Sequence, residues 1–192
     1  MWIERIKENK ELWDLFTRKE EYNPLLLDQY QRFPYYLSCN RDILKPKVSE
    51  ILIENGFDFE YPEGKKFAVC LTQDIDFNFE IEDLEHEIGI IRDRGWEVGL
   101  HGGHNAYNNF EEIKKEKNKI ERVLNKKVVD YRNYFLRFKV PDTWELLSKA
   151  GFKYDTTLGY ADMVRFRNGM CHPFKPFNLR INREIVMIKL HR

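Results

Sequence analysis

The sequence has few cysteines and no long apolar run. Its three cysteines, Cys39, Cys70 and Cys171, are odd in number and far apart, which argues against the disulfide framework of a small secreted domain. No stretch reaches the ~18 apolar residues that a membrane-spanning helix needs. The charged N-terminal residues lack the apolar core of a signal peptide. We therefore expect a cytoplasmic protein without a membrane span.

Net charge is also missing. Lys and Arg number 32, and Asp and Glu number 32, so no overall field attracts the chain to nucleic acid or to a membrane surface. Aromatic residues make up 15% of the sequence, which is typical of packed proteins because disordered chains are poor in aromatics. The 192 residues suffice for one domain with a core and a small appendage. No repeat or low-complexity segment is present.

The apolar pattern predicts an N-terminal helical and irregular arm at residues 1–63 and an α/β domain at residues 64–192. Within the arm we expect one or two short helices in 2–19, an irregular stretch at 20–46, and a helix at 48–55. The domain has predicted strands at 66–73, 96–101, 127–131, 152–156 and 184–190, which alternate with predicted helices at 80–94, 110–124 and 141–150. Such alternation is typical of βα units in a mostly parallel sheet or barrel.

Two carboxylates, Asp74 and Asp76, follow the apolar strand predicted at 66–73. On a strand their spacing puts both on one face. Acidic residues are costly to bury without a partner, so this pattern indicates either a cation, typically a metal, or an ordinary Asp-rich turn.

The ends of the other predicted strands strengthen the first alternative. They carry the following residues in chain order: His101 with His104, Arg132, and Asp155. In parallel α/β folds the carboxyl ends of the strands form the functional face. A carboxylate and imidazoles can hold a divalent metal, a second carboxylate can take a proton from metal-bound water, and an arginine can keep that base ionised. Each residue also has an ordinary structural role open to it, such as a turn or surface ion pair.

Several segments resemble the polysaccharide deacetylase (NodB-homology) superfamily, in particular the branch whose first motif is Thr-His-Asp-Val-Asp. They are 71–76 (LTQDID), 97–103 (EVGLHGG), 131–138 (YRNYFLRF), 154–160 (YDTTLGY) and 166–174 (FRNGMCHPF). The resemblance covers roughly residues 64–177.

This resemblance implies a NodB-like distorted (β/α) barrel that removes N-acetyl groups from a sugar or polysaccharide. It implies a divalent metal, zinc above all, with nickel or cobalt as alternatives. The implied catalytic residues are Asp74, as base, and Arg132, which braces it. The implied metal ligands are Asp76, His101 and His104, and the implied substrate-binding residues are Asn105, Tyr134 and Arg137. Four aromatic residues are candidates for stacking on sugar rings: Tyr107, Tyr134, Phe135 and Trp144.

The sequence also departs from the family. Asn105 stands where the family has its second histidine, and Gln73 and Tyr134 replace histidines of the branch. Residues 77–100 leave room for one βα step instead of two, because a βαβ unit takes roughly 30 residues. We therefore expect an incomplete or open barrel. We expect residues 20–46 to cover its exposed strand edge, with another chain or a rearrangement as the alternatives. A second hypothesis is a catalytically impaired module that binds a saccharide or a protein partner.

Overall fold

The computed structural model describes residues 2–40, 42, 44–59 and 85–190. The strand predicted at 66–73, with Asp74 and Asp76 after it, lies outside these residues. The first part of the helix predicted at 80–94 also lies outside them.

A parallel sheet of four short strands organises the described residues. The strands in chain order are β1 (Leu100–Gly102), β2 (Asp130–Asn133), β3 (Tyr154–Asp155), β4 (Phe177–Asn178), β5 (Arg183–Glu184) and β6 (Ile188–Lys189). The sheet has the order β1-β2-β3-β6 with every pair parallel, whereas β4 and β5 form an antiparallel pair. The prediction of a mixed α/β fold with a mostly parallel sheet is confirmed.

Helices flank this sheet and precede it in the chain. Within the described residues they are α1 (Trp2–Glu8), α2 (Lys10–Thr17), α3 (Lys47–Glu54), α4 (Glu85–Asp93), α5 (Phe110–Leu124) and α6 (Asp142–Lys149). Helix α5 connects β1 to β2, and α6 connects β2 to β3, as in βα units. None of the helices in the described ranges has the length and apolar character that crossing a membrane requires.

Local signals explain the bounds of α5, which match the prediction. The Asn109 side chain accepts hydrogen bonds from the backbone N–H groups of Glu111 and Glu112, and such a cap contributes about 1 kcal/mol. Asn125 ends the helix in the left-handed conformation that asparagine tolerates. Its buried residues, Ile113, Lys117, Ile120 and Leu124, recur at helical spacing and put one face into the core.

The N-terminal helices share a core with the last third of the chain. The Trp13 and Phe177 rings meet edge to face with centroids 4.8 Å apart, and Phe16 meets Phe174 in the same way at 5.5 Å. The Gly169 carbonyl accepts hydrogen bonds from the N–H groups of Val48 and Ser49, at 2.9 and 3.2 Å. It therefore satisfies two of the donors that the first turn of α3 leaves open.

The described residues of the stretch at 20–46 are irregular as predicted, apart from short 3₁₀ turns at 19–21 and 35–37. Its middle part packs at the carboxyl end of β2 and on the loop after β3: the Tyr30 ring lies 4.8 Å from the Phe135 ring, and the Tyr35 N–H donates to Asp162 at 3.2 Å. The strand whose edge it was expected to cover lies outside the described residues.

The four predicted strands within the described residues all differ from the structure in their bounds. Strand β1 spans 100–102 and not 96–101, because the Trp96 N–H still donates to the Ile91 carbonyl at the end of α4, and β3 spans 154–155 and not 152–156. Strand β2 spans residues 130–133 and not 127–131, because the Val128 N–H donates to Glu121 of α5 at 3.0 Å and is not available to a neighbouring strand. The apolar stretch predicted as one strand at 184–190 is divided between β5 and β6. A tight turn, in which the Met187 N–H donates to the Ile185 carbonyl at 2.8 Å, separates them and leaves the Val186 side chain 84% exposed.

Candidate functional site

The carboxyl ends of β1, β2 and β3 bring several of the predicted site residues together. His101 of β1 lies opposite Arg132 of β2 in the parallel register. Arg132 donates from Nη1 to the Thr156 carbonyl just beyond β3, at 2.8 Å. The Asn133 N–H donates to Thr157 Oγ1 at 3.0 Å. The two hydrogen bonds join the ends of β2 and β3 and fix the position of Arg132, and the pairing of β1 with β2 places His101 beside it.

Two glycines follow His101, and side chains pack closely against both. A Cβ atom at Gly102 would overlap the hydroxyl of Tyr131, a fully buried residue that donates to Asn133 Oδ1. A Cβ atom at Gly103 would come within 2.5 Å of Glu116 Oε1, and the Gly103 N–H donates to the same carboxylate at 3.0 Å. Burial raises the pKa of Glu116. The turn thus holds the end of β1 tightly against β2 and α5.

Arg137 organises the loop that carries His104 and Asn105. Its Nη1 donates to the His104 carbonyl at 2.5 Å and to Asn105 Oδ1 at 3.2 Å, and lies 2.7 Å from His104 Nδ1. Its Nε donates to the Tyr30 carbonyl at 2.8 Å, and the guanidinium lies 4.2 Å from the centre of the Tyr107 ring. Arg137 is only 5% exposed, and its hydrogen bonds connect this loop to the N-terminal arm.

The surroundings of the His104 ring bear on how it can act. Arg137 Nη1 lies 2.7 Å from Nδ1 and 3.4 Å from Nε2 of His104, and Asn105 Oδ1 lies 3.2 Å from the same Nδ1. A bond to the guanidinium needs the lone pair of Nδ1, whereas a bond to the amide oxygen needs an N–H there. In either case the fixed positive charge of Arg137 beside the ring disfavours a metal cation bound to this imidazole.

An aromatic surface borders His101. The His101 and Tyr134 ring centroids are 5.8 Å apart, Tyr134 and Phe135 are 4.2 Å apart, and Phe135 and Tyr30 are 4.8 Å apart. Phe135 keeps 42% of its surface exposed. Tyr107 and Trp144, which were also candidates for sugar stacking, are buried in the core at 6% and 1% exposure, so only Tyr134 and Phe135 remain at the site.

The backbone under this aromatic surface is strained. Phe135 and Leu136 follow one another with φ of 56° and 53°, in the left-handed region that residues other than glycine seldom occupy. Such conformations cost of order 1–3 kcal/mol each and are concentrated at functional sites. Arg32 of the arm donates to the Phe135 carbonyl at 2.9 Å and helps to hold this conformation.

Buried charges lie in the strands behind the site. Asp155 of β3 is fully buried, and its Oδ1 accepts from the Thr157 N–H at 2.9 Å. Lys189 lies opposite it in β6, also fully buried, and donates to the Leu190 carbonyl. Burial lowers the pKa of Lys189 to about 8, although the charge of Asp155 opposes that shift. Burial, with the charges of Asp155 and Glu97, raises the pKa of Asp130 to about 7.

Several residues at or behind this site were not predicted from the sequence. Lys189 carries a detectable signal, because a lysine inside the apolar stretch Ile185–Leu190 is unusual for a buried strand. Tyr30 and Arg32 carry none, since their role depends on a contact with residues more than one hundred positions later.

Two predicted contacts involve residues outside the described ranges: the metal ligand Asp76 beside His101, and the base Asp74 beside Arg132. Gln73, where the sequence departs from the family, lies outside them as well. Within the described residues, no group of three or more His, Cys, Asp and Glu side chains is arranged to hold a metal ion. No protein-family model, curated protein or solved structure matches the chain.

Proposed function

We propose that the protein is a metal-dependent hydrolase of the polysaccharide deacetylase type that removes N-acetyl groups from a sugar or polysaccharide. The observation that carries this proposal is the register pairing of His101 with Arg132 at the carboxyl ends of two adjacent parallel strands. An imidazole and a guanidinium on this face are the chemical groups that the motif resemblance implies there. The aromatic surface of Tyr134 and Phe135 beside His101 supports a carbohydrate substrate.

In this proposal the strand predicted at 66–73 pairs with β1 and closes part of a NodB-like barrel that stays open elsewhere. β1 supports this placement, because it is the terminal strand of the four-stranded sheet formed by the described residues. Asp74 and Asp76 would then reach the same face as His101 and Arg132, since the carboxyl ends of parallel strands meet at one edge of a sheet.

In this proposal each of the following residues has one role in the reaction. Asp76 and His101 would hold a divalent metal, which polarises the amide carbonyl and makes bound water more acidic. Asp74 would take a proton from that water, and Arg132 would keep Asp74 ionised because a nearby positive charge lowers the pKa of a carboxylate. His104 fits a different role: with Asn105 it presents polar groups, held by Arg137, to a substrate at the rim.

The second candidate function is a saccharide-binding module without hydrolytic activity. It is favoured by one observation, the guanidinium of Arg137 beside the His104 ring, whose positive charge disfavours a metal ion on that imidazole. Under this proposal Tyr134 and Phe135 bind a sugar, and the remaining polar residues orient it.

Metal content and acetate release together distinguish the two candidates. We expect about one equivalent of zinc, nickel or cobalt in the purified protein, by inductively coupled plasma mass spectrometry, and acetate release from N-acetylated oligosaccharides. Asp76→Ala and His101→Ala should lose both. His86→Ala is the matched control, because His86 is an exposed residue on α4.

Protein that holds no metal, even after incubation with zinc, nickel and cobalt, contradicts the hydrolase. Saccharide binding by that metal-free protein, measured calorimetrically, establishes the second candidate. Metal that persists in His101→Ala as in His86→Ala contradicts the assigned ligand.

A further inference from the structure

A second group of reactive side chains lies where the segment after β3 packs on α3. Cys171 Sγ lies 3.2 Å from Nδ1 of the neighbouring His172. Cys171 is not in a disulfide, and both residues are half-buried. A nucleophile within hydrogen-bond reach of a base, with a third group that orients the base, is the arrangement of an activated nucleophile.

The third group is Ser49 in the first turn of α3. Ser49 Oγ lies 3.0 Å from His172 Nδ1, and the same oxygen accepts a hydrogen bond from the Cys171 N–H at 3.0 Å. Ser49 is completely buried, and its N–H donates to the Gly169 carbonyl. The serine is therefore fixed by the helix and by the loop at once.

Phe59 fixes the imidazole from another direction. The two rings stack face to face, with centroids 3.7 Å apart and planes only 5° apart. The stack fixes the plane of the ring, and Nδ1 lies within reach of both Cys171 Sγ and Ser49 Oγ. Nothing in the proposed deacetylation uses these residues.

We propose that Cys171 is a nucleophilic thiol, with His172 as its base, that reacts with small-molecule disulfides to form a mixed disulfide. In the reaction the thiol proton moves to His172 Nδ1. The sulfur electron pair forms a bond to one sulfur of the disulfide, whose S–S bond breaks. The second sulfur leaves as a thiolate and takes up the proton, so Cys171 is oxidised while the small disulfide is reduced to one thiol.

The surroundings act on the proton transfer in two opposite ways. Burial lowers the pKa of His172, so the imidazole is neutral near pH 7 but its protonated form is disfavoured. Ser49 Oγ offsets part of this cost: the new Nδ1–H can donate to it, because the hydroxyl hydrogen can turn toward Met170 Sδ, 3.8 Å away. His172 therefore holds the proton only briefly before the departing thiolate takes it up.

The test is the rate at which each cysteine of the folded protein forms a mixed disulfide with oxidised glutathione at pH 7. Peptide mass spectrometry resolves Cys171 from Cys39, which is exposed and serves as the internal reference. We expect Cys171 to react at least as fast as Cys39 despite its partial burial. His172→Phe, which keeps a ring to stack on Phe59, should slow Cys171 at least roughly tenfold and leave Cys39 unchanged.

His172→Ala distinguishes the loss of a base from a structural disturbance. If the base is what is lost, free imidazole in solution should restore the rate at Cys171 and leave the rate at Cys39 unchanged. Equal rates for Cys171 in wild type and in folded His172→Phe would overturn the proposal. If both variants fail to fold, the comparison within wild type decides: a Cys171 that reacts slower than Cys39 refutes the activated thiol, and a faster one supports it.

Discussion

Replacing Glu21 by glutamine should destabilise the protein strongly, because two buried arginines share its carboxylate. Arg18 Nε and Arg167 Nε donate to Oε1 at 2.7 and 2.8 Å, and Arg167 Nη2 donates to Oε2. All three residues are buried: Glu21 is 4% exposed, Arg18 is 0% exposed and Arg167 is 1% exposed. The two guanidiniums also bond to the chain, Arg18 to the Arg167 carbonyl at 2.5 Å and Arg167 to the Gly159 carbonyl at 2.7 Å.

The expected magnitude follows from what the glutamine leaves behind. It removes the only charge of Glu21 and turns an N–H₂ group toward a guanidinium that can only donate. Arg167 then loses its carboxylate partner, while Arg18 keeps Glu20, whose Oε1 lies 2.6 Å from Arg18 Nη2. Removing one member of a buried ion pair costs about 3–5 kcal/mol of the free energy of unfolding. Because a domain of this size loses about 2–4 °C in Tm per kcal/mol, we expect Tm to fall by roughly 6–20 °C.

Urea unfolding, followed by tryptophan fluorescence and circular dichroism, measures this loss. Glu11→Gln is the matched control: its side chain is 85% exposed and its carboxylate lies 4.0 Å from Lys47 Nζ. Exposed ion pairs of this kind contribute about 0–1 kcal/mol. A loss below about 1 kcal/mol for Glu21→Gln, no larger than that of the control, would refute the idea that the arginines depend on Glu21.

The same carboxylate predicts how stability depends on pH. Burial acts to raise the pKa of Glu21, but Arg167 and Arg18 outweigh burial and hold this pKa below its ordinary value. The stabilisation is therefore complete above the unfolded-state pKa of about 4.3 and is lost as pH falls through the lower folded-state pKa. Below about pH 4 the free energy of unfolding should fall more steeply in wild type than in Glu21→Gln.

Two further predictions concern the sheet. Asp130→Asn should raise stability at pH 7 and above: the folded-state pKa of about 7 exceeds the unfolded value, so wild type loses stability as pH rises from about 4 to 7. A pH series of urea midpoints in which the Asp130→Asn variant shows the same decline as wild type would contradict this. Gly102→Ala should lower the free energy of unfolding by about 1–3 kcal/mol, because the new Cβ would meet the buried Tyr131 hydroxyl. Gly89→Ala in α4 is the control: nothing lies within 4 Å of its Cβ position, so this change should be neutral or stabilising. Thermal unfolding of both variants checks the contrast, which equal midpoints would disprove.

Features set by neighbours in sequence could be predicted. Helix α5 has its cap, its apolar spacing and its left-handed end within residues 109–125, so its bounds follow from the sequence alone. The positions of His101 and Arg132 at neighbouring strand ends follow from the alternation of helices and strands, although β2 begins later than its apolar residues suggest.

Features set by distant contacts could not be predicted. Arg18, Glu21 and Arg167 are ordinary charged residues in the sequence, and only the fold brings them together in the core. The sequence predicts that Arg137 binds substrate. In the structure, most of its N–H groups instead face the arm and the loop that carries His104. Long polar side chains have several partners within reach, and sequence pattern does not choose among them.

The first two helices pack on the last third of the chain, and this packing has a consequence during synthesis at the ribosome. Arg18 bonds to residue 167, and Trp13 and Phe16 pack on Phe177 and Phe174. At about 5–20 residues per second, translation needs on the order of 10–30 seconds to supply those partners after α2 has emerged. Helix α3 can already cover part of α1 and α2 in that interval, but the side of α2 that packs on Phe174 and Phe177 has no native partner yet. The nascent chain therefore offers chaperones this side of α2 until residues 159–178 become available.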